Sequence, residues 1–248
     1  MTPLYPLRFE PFLRRLPWGG RRLESLLGKR LPPGDDYAES WEVADHAVHH
    51  SRAAAGPLAG SSLGELVRER GAELLGRHWP QARFPLLLKF LDARHSLSVQ
   101  VHPDDARAAR LEPPECGKSE AWVVLAAEPG SLLYAGLKAG VDRPALEHAL
   151  AAGRCVDCLH AWHPQAGDSL WLPAGSVHAL GAGVAVAELQ QPSDCTYRLY
   201  DWHRRDAQGR PRPLHLEQAL ETIDYELGPL GPSVPQPTGQ PQVERLVA

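Results

Sequence analysis

From Phe84 onward the chain is cut into short apolar segments by turn-forming residues, and this punctuation constrains its fold more than any other feature. The segments 84–92, 97–102, 120–127, 131–135, 168–172, 184–190 and 196–202 are too short for core helices and read as strands. Clusters such as Pro103-Asp-Asp, Glu128-Pro-Gly and Pro173-Ala-Gly separate them. With 22 Gly and 24 Pro in 248 residues, the composition favours a turn-rich, mostly β chain over a helical bundle. Many short strands at close spacing predict a mostly β fold, an antiparallel barrel or sandwich with a few α-helices.

Three helices interrupt the pattern. Ser62 and Glu65 form a capping-box pair ahead of a helix over 63–76, whose Leu63, Leu66, Val67, Leu74 and Leu75 share one face. Asp142, Pro144 and Gly153 bracket a helix over 143–152, and another is expected over 215–223. Residues 1–60 read as irregular, with Trp18-Gly-Gly and Glu39-Ser-Trp-Glu-Val as short extended pieces. Five prolines after Gly228 read as a linker or frayed tail, so the expected division is 1–227 and 228–248. No fixed-period repeat is present.

The net charge of −4 gives no reason to expect nucleic acid or an anionic membrane as partner. Apolar runs fall short of the roughly 18 residues of a membrane span, and Met1-Thr-Pro-Leu-Tyr-Pro does not read as a signal peptide. Cys116, Cys155, Cys158 and Cys195 are too few for a disulfide scaffold. The expectation is a cytoplasmic protein with reduced thiols.

Three separated elements carry chemistry. In Leu97-Ser-Val-Gln-Val-His102 the period of two puts Leu97, Val99 and Val101 on one face and Ser98, Gln100 and His102 on the other. Taken alone, that polar face reads as wet sheet surface. Gly117-Lys-Ser-Glu120 opens the next strand and puts Lys118, Glu120 and Trp122 on one face. Gly167-Asp-Ser-Leu-Trp-Leu-Pro173-Ala-Gly175-Ser-Val-His178 makes a strand, a tight turn and a returning strand that presents His178. Two imidazoles and one carboxylate (His102, His178 and Glu120), with Gln100 as a neutral fourth ligand, suit Zn²⁺ or another divalent metal. The same set also suits the iron of a non-haem oxygenase, which spacing does not separate from zinc.

Q-x-H, then Glu, then G-x5-P-x-G-x2-H resembles the two metal motifs of the cupin β-barrel (jelly roll). Gln100 at the first position resembles one cupin branch, the type I phosphomannose isomerases. Further likenesses are Phe84-Pro-Leu-Leu-Leu-Lys-Phe-Leu-Asp-Ala, Leu97–Asp105, Gly117–Trp122, Pro173–Ala179, Ala187–Asp194 and Thr196–Trp202. Trp18-Gly-Gly, Glu39–Val43 and Gly56–Gly60 extend the likeness to about residues 5–226.

The resemblance implies interconversion of mannose 6-phosphate and fructose 6-phosphate through a cis-enediol(ate). It implies one zinc ion per chain held by Gln100, His102, Glu120 and His178, and it places the catalytic arginine at Arg198. Glu188 and Asp194 are candidates for proton transfer or for orienting Arg198, and Lys118 for proton shuttling or charge. Lys89 and Ser98 are candidates for the phosphate, and Trp18 for the sugar pocket. Family members usually continue into a second, smaller cupin-like domain, whose first strand Val243–Ala248 resembles. The resemblance thus implies that this domain is missing here, and the chain is expected to be a monomer or homodimer. The rival readings are a metal-bound cupin that binds sugar phosphates without turnover and an iron oxygenase. Cys155-Val-Asp-Cys158 is read as incidental, and His46, His49 and His50 as surface histidines.

Overall fold

The computed structural model describes residues 3–111, 115–205, 208–240 and 243–246. Two antiparallel sheets face each other. The first has six strands in the order Phe12–Gly20, Tyr37–Val43, Leu87–Ala93, Val184–Gln190, Glu120–Ala127 and Ser169–Leu172. The second has five, in the order Tyr197–Tyr200, Val99–Val101, His178–Leu180, Leu133–Leu137 and Leu159–Trp162. Leu91, Trp122, Val124, Leu170, Leu172 and Val186 of the first meet Leu133, Ala135 and Leu180 of the second to form the inner core. Each buried Leu or Val among them contributes about 1.5–3 kcal/mol of transfer free energy.

The outer face of the five-stranded sheet is covered by helices. Val99, Val101, Tyr197 and Leu199 pack there against Leu146 and Ala149 of the Arg143–Ala151 helix, and against Ala219 and Ile223 in and after Leu216–Thr222. This reverses the bland reading of the 97–102 strand. Val99 and Val101 point outward to helices while Ser98, Gln100 and His102 point inward; Leu97, ahead of the strand, departs from the alternation and packs with the inner core. The cause is the second layer, which a single strand's pattern does not announce.

The helix signals hold. Ser62 Oγ accepts from Glu65 N–H at 3.2 Å, and Glu65 Oε2 accepts from Ser62 N–H at 2.7 Å, opening the helix Leu63–Leu75. Asp142 accepts from Ala145 N–H at 2.9 Å. Two expectations differ from what is found. The N-terminal region is not irregular, because Phe12–Gly20 and Tyr37–Val43 form one end of the large sheet. Pro17 and register shifts after Arg14 and Arg15 are tolerated there because Phe12–Gly20 is an edge strand. Short helices at Arg22–Leu27 and Asp105–Leu111 also lie outside the pattern reading.

The segment after Gly228 is seated on the fold. Leu230 N–H donates to Ala135 C=O at 3.2 Å and Ser233 N–H to Ser169 C=O at 2.7 Å. Glu244–Arg245 pairs with Gln236–Pro237, and Val247 and Ala248 lie outside the described residues. Among the described residues, no helix is long and apolar enough to cross a membrane.

Candidate metal centre and active site

Cross-strand register brings distant residues into one row. Arg198 stands opposite Gln100, and Gln100 opposite His178, on three adjacent strands of the five-stranded sheet. Facing them, Glu120 of the six-stranded sheet stands between Gln190 and Leu172. Trp122 packs edge-on against the His178 ring at 5.5 Å.

His102, Glu120 and His178 are all buried, and their ligand atoms lie within 4.8 Å of one another. His178 Nε2 is 3.1 Å from Glu120 Oε1, and His102 Nε2 is 3.6 Å from Glu120 Oε2. Each imidazole is oriented from behind: His102 Nδ1 lies 2.8 Å from Cys195 C=O and His178 Nδ1 lies 3.0 Å from Ser176 C=O. A carbonyl only accepts, so Nδ1 carries the proton and donates, leaving both Nε2 atoms as acceptors that converge on Glu120. Glu120 Oε1 is buried with no hydrogen-bond partner. Three buried acceptors aimed at one point fit a divalent cation. Gln100 Nε2 lies 3.4 Å from His178 Nε2 while its Oε1 accepts from Ser98 Oγ at 3.3 Å, so the amide borders the set.

Charge is dense around this point. The Lys118 ammonium hydrogen-bonds Glu120 Oε2 and lies 2.9 Å from His102 Nε2. Burial alone would lower the Lys118 pKa, but Glu120 and Glu188 outweigh it and hold the ammonium above its ordinary value. Burial would likewise raise the Glu120 carboxyl, yet Lys118, His178 and His102 hold it well below the usual range. Burial, then Lys118, keeps His102 well below the ordinary imidazole value and therefore neutral. Burial and the nearby Glu120 push the Glu188 carboxyl upward against Lys89 and Lys118. Glu188 accepts from Trp122 Nε1 at 2.9 Å and lies 3.4 Å from Lys89 Nζ, which in turn sits over the Trp41 ring.

Above this floor opens a polar cavity of about 280 Å³. Its walls include Trp18, Lys89, Ser98, Gln100, Lys118, Glu188, Asp194 and Arg198. With His102, Glu120 and His178 beneath, the residues proposed from the sequence for metal, substrate and catalysis lie in or under one cavity. Lys89, Lys118 and Ser98 are buried rather than solvated. Arg198 Nε donates to Ser98 Oγ at 3.2 Å and Nη1 to Pro213 C=O at 2.9 Å, so Ser98 links the guanidinium to Gln100. Burial and Arg212 lower the Arg198 pKa from a very high value.

Sequence reading missed three charged wall residues, Arg14, Glu39 and Arg212. Glu39 lay within a quoted family segment, but Arg14 and Arg212 carried no local signal. Two decoys resolve on physical grounds. Cys155 is buried and its thiol is pushed up to about 12, which makes it unreactive. His46 is not a surface residue: it is buried with Nε2 3.5 Å from Glu115 Oε1, because the turn at 45–50 folds inward.

A two-sheet β fold holding a His–Glu–His set able to hold a metal, on the floor of a polar cavity, defines a protein of the cupin class. Residues 7–119 match the family described as phosphomannose isomerase type I, catalytic domain. The chain is 39% identical over 218 residues to mannose-6-phosphate isomerase of Streptococcus mutans, covering 88% of this chain and 67% of that protein. It is 37% identical over 231 residues to mannose-6-phosphate isomerase ManA of Bacillus subtilis, covering 93% and 70%. The crystal structure of the mannose 6-phosphate isomerase from Bacillus subtilis superimposes with a TM-score of 0.87 at 32% identity, covering 96% of this chain and 74% of that one. The chain belongs to the type I phosphomannose isomerases.

Proposed function

We propose that this chain interconverts mannose 6-phosphate and fructose 6-phosphate, with one Zn²⁺ held by His102, Glu120, His178 and the Gln100 amide. Bound there, the metal supplies Lewis-acid polarisation of the sugar carbonyl and hydroxyl oxygens. The observation that carries this reading is the shared floor: two imidazole Nε2 acceptors and a carboxylate converge beneath a cavity into which Arg198 projects from the same cross-strand row.

The reaction moves a proton between C1 and C2, so it needs a base and a stabiliser for the enediolate oxygens. Glu188 is the base in this reading. Its raised pKa brings it toward the working pH, and Trp122 Nε1–H fixes its orientation. Arg198 and Lys118 supply fixed positive charge for the oxyanion, with the guanidinium held in place by Ser98 and Pro213. Asp194 lies at the mouth, 3.7 Å from Arg14, and orients the arginines there. Lys89 and Ser98 bind the phosphate and Trp18 forms an apolar wall against the sugar ring. Residues 1–227 form the catalytic unit, with 228–248 as a tail. A small soluble substrate calls for neither nucleic acid nor membrane and fits a cytoplasmic monomer or homodimer.

An enzyme-coupled assay of mannose 6-phosphate conversion on zinc-loaded protein tests this. Turnover that falls on the order of 10²–10³-fold in Arg198→Ala is expected, the magnitude of losing one oxyanion-stabilising donor. Absence of turnover in metal-replete protein, or full activity in the variant, overturns it.

A further inference from the structure

Arg198 sits on a sheet edge. Among the described residues, the Tyr197–Tyr200 strand has Val99–Val101 on one side and no strand on the other. A residue there whose main-chain N–H and C=O turn outward lacks a ladder partner, and an unladdered edge strand frays. At Arg198 both groups are taken by one residue from a separate element. Arg198 N–H donates to His215 Nδ1 at 3.1 Å, and His215 N–H donates to Arg198 C=O at 2.8 Å. His215 thus stands in for one residue of the absent strand, with its side chain doing what a main-chain carbonyl does in a ladder.

One further contact makes this a clasp on the guanidinium itself. Pro213 C=O accepts from Arg198 Nη1 at 2.9 Å, so the 213–215 segment grips both the main chain and the side-chain head. The segment is anchored in turn. His215 precedes the helix Leu216–Thr222, whose Ala219 is in the outer core, and its ring lies edge-on to Tyr197 at 6.4 Å. The acceptance at Nδ1 also requires the tautomer protonated at Nε2.

We propose that His215 is a positioning residue for Arg198: its Nδ1 and N–H lock the edge position from which the guanidinium enters the cavity. The proposal rests on the catalytic reading of Arg198. A displacement of about 1 Å at a reacting group can cost on the order of 10²-fold in rate, so a clasp that removes edge fraying has kinetic consequences.

The test is steady-state kinetics with metal analysis on His215→Ala, His215→Asn, Arg198→Ala and the double variant His215→Ala/Arg198→Ala. His215→Ala is expected to lower kcat by about ten- to a hundredfold with KM changed only a few-fold and metal content unchanged. His215→Asn, whose Oδ1 falls near the Nδ1 position, is expected to retain most of kcat. In the Arg198→Ala background the His215→Ala change is expected to cost nothing further, because a positioner has nothing left to position. Wild-type kcat in His215→Ala beside a crippled Arg198→Ala overturns the proposal. So does an equal further loss in the double variant, which marks a general structural role. Full activity in Arg198→Ala instead defeats the functional reading beneath it. Should His215→Ala not fold, His215→Leu keeps bulk against Tyr197 while removing the acceptor, and the same outcomes decide.

Discussion

Lys118 holds the most demanding position in the molecule. Its ammonium is buried between Glu120 and His102, and neither partner can be removed without leaving charge or lone pairs stranded. In Glu120→Gln the lysine loses its counter-ion. Breaking a buried pair from one side costs about 3–5 kcal/mol, so this variant is expected to melt well below wild type and to purify without metal. Thermal melting and elemental analysis check the two parts. Lys118→Met separates the roles differently: the acceptors remain, so metal is retained, while kcat falls on the order of 10²-fold for lack of a positioned cation. The residues that were legible beforehand share a feature. His102 and His178 sit at fixed offsets from turn formers, and turn geometry is local chemistry that a sequence displays. Arg14 and Arg212 reach the same cavity through sheet register and a long connection, so in the sequence they look like any solvated arginine.

At the level of elements, the legible parts were those whose signal is contained within them. The capped helices at 63–75 and 143–151 and the alternating strand Glu120–Ala127 were all foreseen with boundaries close to those found. Of Phe12–Gly20 only the end at Trp18-Gly-Gly was, because the rest becomes a strand by pairing with Tyr37–Val43 and not by its own composition. The element that matters most for the site is His178–Leu180, only three residues long and followed at once by a tight approach. A Cβ on Gly181 would lie 2.0 Å from the Leu132 carbonyl oxygen, a separation only glycine allows. Gly181→Ala is therefore expected to shift this strand, lowering metal affinity about 10–100-fold through the displaced His178, as loss of a ligand's support does. Metal titration measures it. Ser62→Ala, far from the cavity, supplies the contrast: loss of the capping box costs about 1 kcal/mol in the melting transition, with kcat unchanged.

On the scale of the whole molecule, the residues proposed to hold the metal bridge the two layers. Glu120 comes from the six-stranded sheet, while His178 and Gln100 come from the five-stranded one and His102 from the residue just beyond it. A cation held by all of them is a cross-link between sheets that otherwise meet through apolar contact, so metal affinity becomes folding stability. At metal a hundredfold above Kd the stabilisation is about 2.7 kcal/mol. A chain of this length shifts by roughly 2–4 °C per kcal/mol, so chelation is expected to lower Tm by about 5–11 °C, reversibly on metal return. In the metal-free protein the Lys118–Glu120 pair, two residues apart where one strand begins, remains at this point, and it imposes a pH dependence of definite sign. The Glu120 carboxyl is depressed in the folded state from its ordinary 4.5, so its contribution is complete above that value and drains away as pH falls toward the folded-state value. Metal-free wild type and metal-free Glu120→Gln should therefore differ most in melting temperature near neutral pH and converge in acid. Curves that stay parallel down through pH 4 would mean that Glu120 and Lys118 do not hold each other beneath the cavity.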